Sequence, residues 1–169
     1  MGMRCLYRIL FRIRSRILFA PACLIMLAGV SCSTTDAEPE YGALVHVEVD
    51  LLTDGHDLQS PLGYLSIPAP RVSGELTGMG GIVIVHGIDH AHGTGYYAYD
   101  LACPYEKKRD IRISPTPASE QGLLLFKCKG CGRVYELATG DGSAVNRNEP
   151  IRLIRYRVTL NGEKLYITN

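Results

Sequence analysis

Six cysteines are spread along the chain, and their spacing sorts them by chemistry. Cys128-Lys129-Gly130-Cys131-Gly132 follows an apolar stretch, Leu123–Lys127, and precedes Arg133–Leu137. Placed after a strand, Cys-x-x-Cys-Gly is a knuckle. The backbone curls until both thiolates face one centre, and glycine permits the tight turn behind the second sulfur. A redox pair of the same spacing normally opens a helix, whose dipole lowers the thiol pKa. Here GRVYEL follows and reads as strand, which argues against a disulfide oxidoreductase. Cys103 stands on a second loop, Ala102-Cys103-Pro104-Tyr105-Glu106, directly after Tyr96–Asp100. Three thiolates and one histidine are a common structural zinc set. His86, His90 and His92, in GIVIVHGIDHAHGTG just before this loop, are candidates for the fourth ligand. A His-x-His pair in a Gly-rich loop equally suits solvated turn residues, and His46 and His56 read as surface residues.

The elements that must position these loops begin beyond an address. Residues 1–16 are basic and residues 17–30 are apolar, the n- and h-regions of a secretory signal. The apolar run is shorter than the about 20 residues of a membrane span. Ala28-Gly29-Val30-Ser31 and then Cys32 follow, which resembles a bacterial lipoprotein signal whose cysteine becomes the acylated N-terminus. Ordinary cleavage with Cys32 unmodified is the alternative. The resemblance implies a signal peptide over residues 1–31 and a lipid-anchored protein of the bacterial envelope. Ser33 after Cys32 favours the outer membrane over the inner. Residues 32–40 then form a polar tether. Cys5 and Cys23 would leave with the leader and Cys32 would carry lipid. Cys103, Cys128 and Cys131 would remain, an odd number for an oxidising compartment.

Charge changes meaning once the leader is set aside. The whole chain has 18 Lys and Arg against 17 Asp and Glu, a net charge of +1. Five of those basic residues precede residue 17, and the remainder carries −4. A mildly acidic domain with scattered charge is a poor nucleic-acid binder.

From Tyr41 to Asn169 the hydrophobic period is two. Val45, Val47, Val49 and Leu51 alternate with polar neighbours, as in a half-buried strand. Gly81–His86 is a short apolar run rich in β-branched residues and suits a buried strand. Tyr96–Asp100, Leu123–Lys127, Arg133–Leu137 and Ile154–Leu160 read as further strands. Asn161-Gly162 signals a hairpin into Leu165 and Ile167. Residues 53–80 read as an irregular excursion with one short strand at most. No window supports a long amphipathic helix, so the class is all-β, a sandwich or barrel of short strands.

The order of loops and strands resembles a Rieske-type iron–sulfur domain. In that family one loop carries Cys-x-His and a second carries Cys-x-x-His-Gly, two cysteines ligating one iron and two histidines the other. YAYDLACPYE matches the first loop and KCKGCGRVYELATGDG the second. The resemblance covers residues 80–169 and, more loosely, 43–52. It implies a Rieske-like sandwich with a small subdomain bearing the two cysteine loops. Cys103 and Cys128 match the cysteine ligands, whereas Tyr105 and Cys131 stand where the histidines would be. SPTPASEQ lengthens the connection between the loops, and Asn148-Glu149-Pro150 replaces the usual Gly-Pro-Ala turn.

Three states of the loops follow. A [2Fe–2S] centre would use Cys103, Cys128, Cys131 and Tyr105. Exchanging two neutral imidazoles for a thiolate and a phenolate adds two negative charges, so such a centre would have a low potential. A zinc or other single-metal site would use the three thiolates and Tyr105, His86, His90 or His92. Without metal, the resemblance implies a Cys103–Cys128 disulfide tying the loops together. The expected function is an envelope-anchored electron-transfer or metal-binding module with a redox protein partner. The alternative is a structural or interaction lipoprotein without cofactor. No Ser–His–Asp order, phosphate loop or convincing carboxylate pair suggests an enzyme acting alone.

Overall fold

The structure is a computed structural model, and it describes residues 43–88, 95–117, 123–146, 148 and 150–169. The chain divides into two units, Met1–Ala37 and Glu38–Asn169, and the description below concerns the second. The leader, Cys32, the tether, His90 and His92 lie outside the described residues.

The domain is all-β, as its period predicts. Its strands are β1 (Val45–Asp50), β2 (Tyr64–Ile67), β3 (Leu76–Thr77), β4 (Ile82–His86), β5 (Tyr96–Asp100), β6 (Ile113–Pro115), β7 (Leu125–Cys128), β8 (Val134–Glu136), β9 (Arg155–Asn161) and β10 (Lys164–Thr168). The helical content among the described residues is one 3-10 turn, His56–Gln59. A seven-stranded antiparallel sheet runs in the order β2-β4-β5-β9-β10-β1-β3, and a three-stranded sheet in the order β6-β7-β8.

Two cores follow from how β4 and β5 are buried. Ile82, Ile84 and Ala98 face a core shared with Val47, Val49, Leu165 and Ile167. Val83, Val85, Tyr97 and Tyr99 face the other way, into a core shared with Phe126, Tyr135, Cys103 and Cys128. The apolar run at Gly81–His86 does not alternate because β4 is covered on both faces. β1 has one covered face, and there Val45, Val47 and Val49 are buried while His46 and Glu48 are exposed. Each fully buried aliphatic side chain of this kind contributes roughly 1.5–3 kcal/mol. β9 and β10 meet in a hairpin whose register pairs Asn161 with Lys164, leaving Gly162 and Glu163 as the turn. Gly162 adopts a φ of 59°, the left-handed conformation that such a turn demands.

The sequence expectations fail in three places. Residues 53–80 hold more order than expected: the 3-10 turn, β2 and β3. β2 and β3 are the two edge strands of the large sheet, and β3 has two residues. An edge strand needs little two-residue alternation, so its pattern is faint. β6 lies in the long connection between the cysteine loops and was not expected at all. It is three residues long and ends in Pro115, yet it pairs with β7 across Ile113–Cys128 and Pro115–Phe126. Strand β9 also departs from its pattern, because Leu160 is exposed where the hairpin runs past the core.

Candidate metal centre

The small sheet and the end of β5 bring the two cysteine loops together. Asp100, the last residue of β5, is fully buried and aligns the first loop. Its carboxylate accepts hydrogen bonds from the N–H of Met79 (2.8 Å), Gly80 (2.9 Å) and Ala102 (2.7 Å) and from the Tyr156 hydroxyl (2.6 Å). Four donors compensate a buried carboxylate well. The Ala102 bond fixes the backbone immediately before Cys103. Beyond it the Cys103 N–H donates to the Ile111 carbonyl at 3.0 Å, and the Lys107 N–H returns to the Cys103 carbonyl at 2.9 Å.

The second loop is the expected knuckle. The Cys128 N–H donates to the Arg133 carbonyl at 2.9 Å and the Gly132 N–H to the Cys128 carbonyl at 3.0 Å. Gly132 has a φ of 72°, so glycine is needed there to close the turn. Register locks the loops together: Ile113 of β6 pairs with Cys128, and Ala102 bridges Arg112. Gly130 leaves room for the Ile111 and Glu106 side chains of the first loop.

The three sulfurs converge as the knuckle pattern requires. The Sγ atoms of Cys103, Cys128 and Cys131 all lie within 4.8 Å of one another. Cys103 and Cys131 are 3.6 Å apart. All three are free thiols, so the Cys103–Cys128 disulfide of the metal-free alternative is not formed. Cys103 and Cys128 are wholly buried, whereas Cys131 reaches partly to the surface.

Their electrostatics differ. Burial pushes the Cys128 thiol up to about 11; N–H groups of Cys131 and Gly130 oppose this, and the neighbouring thiols reinforce it. Burial also acts upward on Cys131. There the backbone N–H and guanidinium of Arg133, with the other two thiols, outweigh it and carry Cys131 below the ordinary thiol value. Cys131 is therefore the sulfur that this arrangement favours as thiolate.

Tyrosine also meets the cluster, but at an unexpected position. The Tyr135 hydroxyl lies 3.5 Å from Cys103 Sγ, and its ring is fully buried. Burial, the contact with Cys103 and the charges of Cys103 and Cys131 raise its pKa, so it remains a protonated donor to sulfur. Tyr105, the tyrosine that the resemblance put forward, is 51% exposed. Its ring receives the Arg133 guanidinium at 3.5 Å from the ring centroid. His86 is engaged elsewhere: its Nδ1 lies 2.8 Å from the Leu58 carbonyl oxygen and its ring tilts against Tyr96. It does not belong to the thiol group. Sequence reasoning passed over Arg133 and Tyr135 as ligating-loop residues. The available signal was their place in the sequence, two and four residues beyond Cys131 at the entry to β8.

The donor set fits a metal. Two sulfurs about 2.3 Å from one tetrahedral ion lie roughly 3.8 Å apart, close to the observed Cys103–Cys131 spacing. Terminal ligands on the two different irons of a [2Fe–2S] core are held farther apart by the irons and bridging sulfides. The arrangement thus suits three thiolates on one ion.

The fold and the site define an all-β domain with a three-thiol cluster, two of its sulfurs buried and the third partly exposed. No family model matches the chain, and no curated protein matches it. Among solved structures, it is similar to a protein described as a nitrite reductase NADPH small subunit oxidoreductase. That similarity has 15% identity and a TM-score of 0.40, over 72% of this chain and 97% of that one. A likeness so loose carries no functional inference.

Proposed function

We propose that this chain is a metal-binding module of the electron-transfer kind, in which Cys103, Cys128 and Cys131 would hold a single iron ion. The observation that carries the proposal is the convergence of three free thiols from two separate loops at a single point, two of them wholly buried. The Rieske-like order of loops and strands in the sequence favours iron. The short Cys103–Cys131 separation favours one ion over the two-iron cluster of that family. Bound iron would supply a one-electron redox couple. Cys128 and Cys103 would anchor the centre in the core, Tyr135 would donate to a sulfur, and Cys131 would give the centre an edge at the surface. An envelope location with acylated Cys32 is part of the proposal, supported by residues 1–40 alone.

Zinc is the second reading, because the same sulfur spacing suits a tetrahedral zinc ion. Metal analysis of the full chain, purified anaerobically in detergent, separates the states. Iron without acid-labile sulfide supports the single-ion centre, and iron with equimolar sulfide restores the two-iron cluster. Colourless protein with stoichiometric zinc assigns a structural role. Protein that takes up neither metal on reconstitution overturns the proposal.

A further inference from the structure

We infer that the face on which the thiol cluster reaches the surface is a docking site for a protein that presents an acidic surface. The inference deepens the proposed electron-transfer function, on which it rests for its purpose, by naming the chemistry of the partner.

Charge is segregated within the domain. Residues 101–137, which carry both cysteine loops and the small sheet, hold seven Lys and Arg against four Asp and Glu. The other residues after Cys32 hold six against thirteen. The net acidity of the domain therefore conceals a basic pole. Lys107, Lys108, Arg109, Arg112, Lys127 and Lys129 are all exposed.

Four of these cations lie in the two cysteine loops themselves. Lys107, Lys108 and Arg109 lie on the loop that Cys103 opens, and Lys129 lies between the knuckle cysteines. The two loops touch where Gly130 meets Ile111 and Glu106. Arg112 bridges Ala102 next to Cys103, and the following residue, Ile113, pairs with Cys128. Half-exposed Tyr105 and partly exposed Cys131 share this face, and Arg133 stacks on the Tyr105 ring. An aromatic ring already held by an arginine loses little freedom on binding, and such residues commonly anchor interfaces. A basic collar would steer an acidic partner and fix its register.

A protein suits this face better than the other occupants. Exposed Asp110 and half-buried Glu106 interrupt the collar; a uniformly anionic lipid surface would repel both, whereas an acidic protein surface can set an isolated cation against each. A second copy would have to offer its own acidic side. There Glu48, Asp54 and Asp141 are already paired with Lys164, Arg71 and Arg152.

The test uses the full chain with Cys32→Ser and an acidic plant-type ferredoxin as the probe, with binding read by fluorescence anisotropy. The ferredoxin should bind, and affinity should fall at least about tenfold in K107E/K108E and on raising salt to the physiological range. The control R157E, on exposed β9, should bind within about twofold of the parent. Equal affinity in K107E/K108E and R157E overturns the inference. So does self-association, or binding to phosphatidylglycerol vesicles, that the reversal abolishes while ferredoxin binding is absent. The measurement is repeated on chelator-stripped protein. Ferredoxin binding by a chain that never takes up metal retires the electron-transfer function and leaves the docking surface. Metal uptake without charge-sensitive binding does the reverse.

Discussion

The phenol of Tyr135 lies 3.5 Å from the sulfur of Cys103, and both side chains are closed off from solvent. A protonated phenol against a buried sulfur is a donor that orients and stabilises thiolate charge. Tyr135→Phe keeps the ring and removes the donor. Affinity for cobalt(II), read from its thiolate charge-transfer bands, should fall about 10–100-fold. Unchanged affinity would show that the hydroxyl contributes only packing.

Tyr105 should behave differently. Its ring is half-exposed and stacked against Arg133, which predicts that its hydroxyl is dispensable for metal. Tyr105→Phe should retain metal stoichiometry and the cobalt spectrum. Loss of the metal in Tyr105→Phe would restore the phenolate ligand implied by the sequence resemblance.

Cys128 and Cys131 should separate stability from binding. Each serine substitution should abolish tight metal binding, because two thiolates are a poor substitute for three. Cys128 is wholly buried in the second core, and a hydroxyl there costs about 1–3 kcal/mol in the metal-free protein. Cys131 is partly exposed, so Cys131→Ser should leave metal-free stability within about 0.5 kcal/mol. Urea unfolding of the two variants measures the difference.

Asp100 should be among the most sensitive positions outside the cluster. Asp100→Ala leaves three buried N–H groups and the Tyr156 hydroxyl without their acceptor and should cost roughly 3 kcal/mol or more. Tyr156→Phe removes one of those bonds and should cost about 1–2 kcal/mol. A loss below 1 kcal/mol for Asp100→Ala in urea would show that Ala102 and the first cysteine loop do not depend on it.

Glu75 sets an acid limit on stability. Its side chain is almost wholly buried and accepts from Arg71 Nη2 at 2.7 Å and Nε at 3.1 Å. Burial acts to raise its pKa, but the Arg71 side-chain and backbone hydrogen bonds and the guanidinium charge win and lower it. A carboxylate with a depressed folded pKa contributes stability above the ordinary carboxylate range. That contribution is lost as pH falls through the folded value. Glu75→Gln should therefore lower stability by about 1–2 kcal/mol near neutrality, and its deficit should shrink in acid. A deficit constant with pH would show that the charge of Glu75 does not matter.

Much of the molecule is legible along the chain because local chemistry repeats there. The two-residue period of Val45, Val47 and Val49, the β-branched run of β4 and the turn chemistry of Gly162 each report a strand or turn without help from distant residues. Cys-x-x-Cys-Gly likewise determines its own knuckle, since Gly132 and the bonds between residues 128 and 133 close it. β2, β3 and β6 are not legible in this way, because their order comes from pairing with β4, β1 and β7.

By itself the sequence determined the all-β class, the knuckle and the identity of the three thiols. Only the tertiary structure decided what surrounds them. The β6–β7 register and the Asp100 clamp bring Cys103 to 3.6 Å from Cys131, a distance across 28 residues that no local pattern encodes. The same packing seats Tyr135 rather than Tyr105 against sulfur. Both tyrosines lie near a cysteine in sequence, but only the β8 strand turns its ring into the core, while the loop presents Tyr105 to solvent and to Arg133.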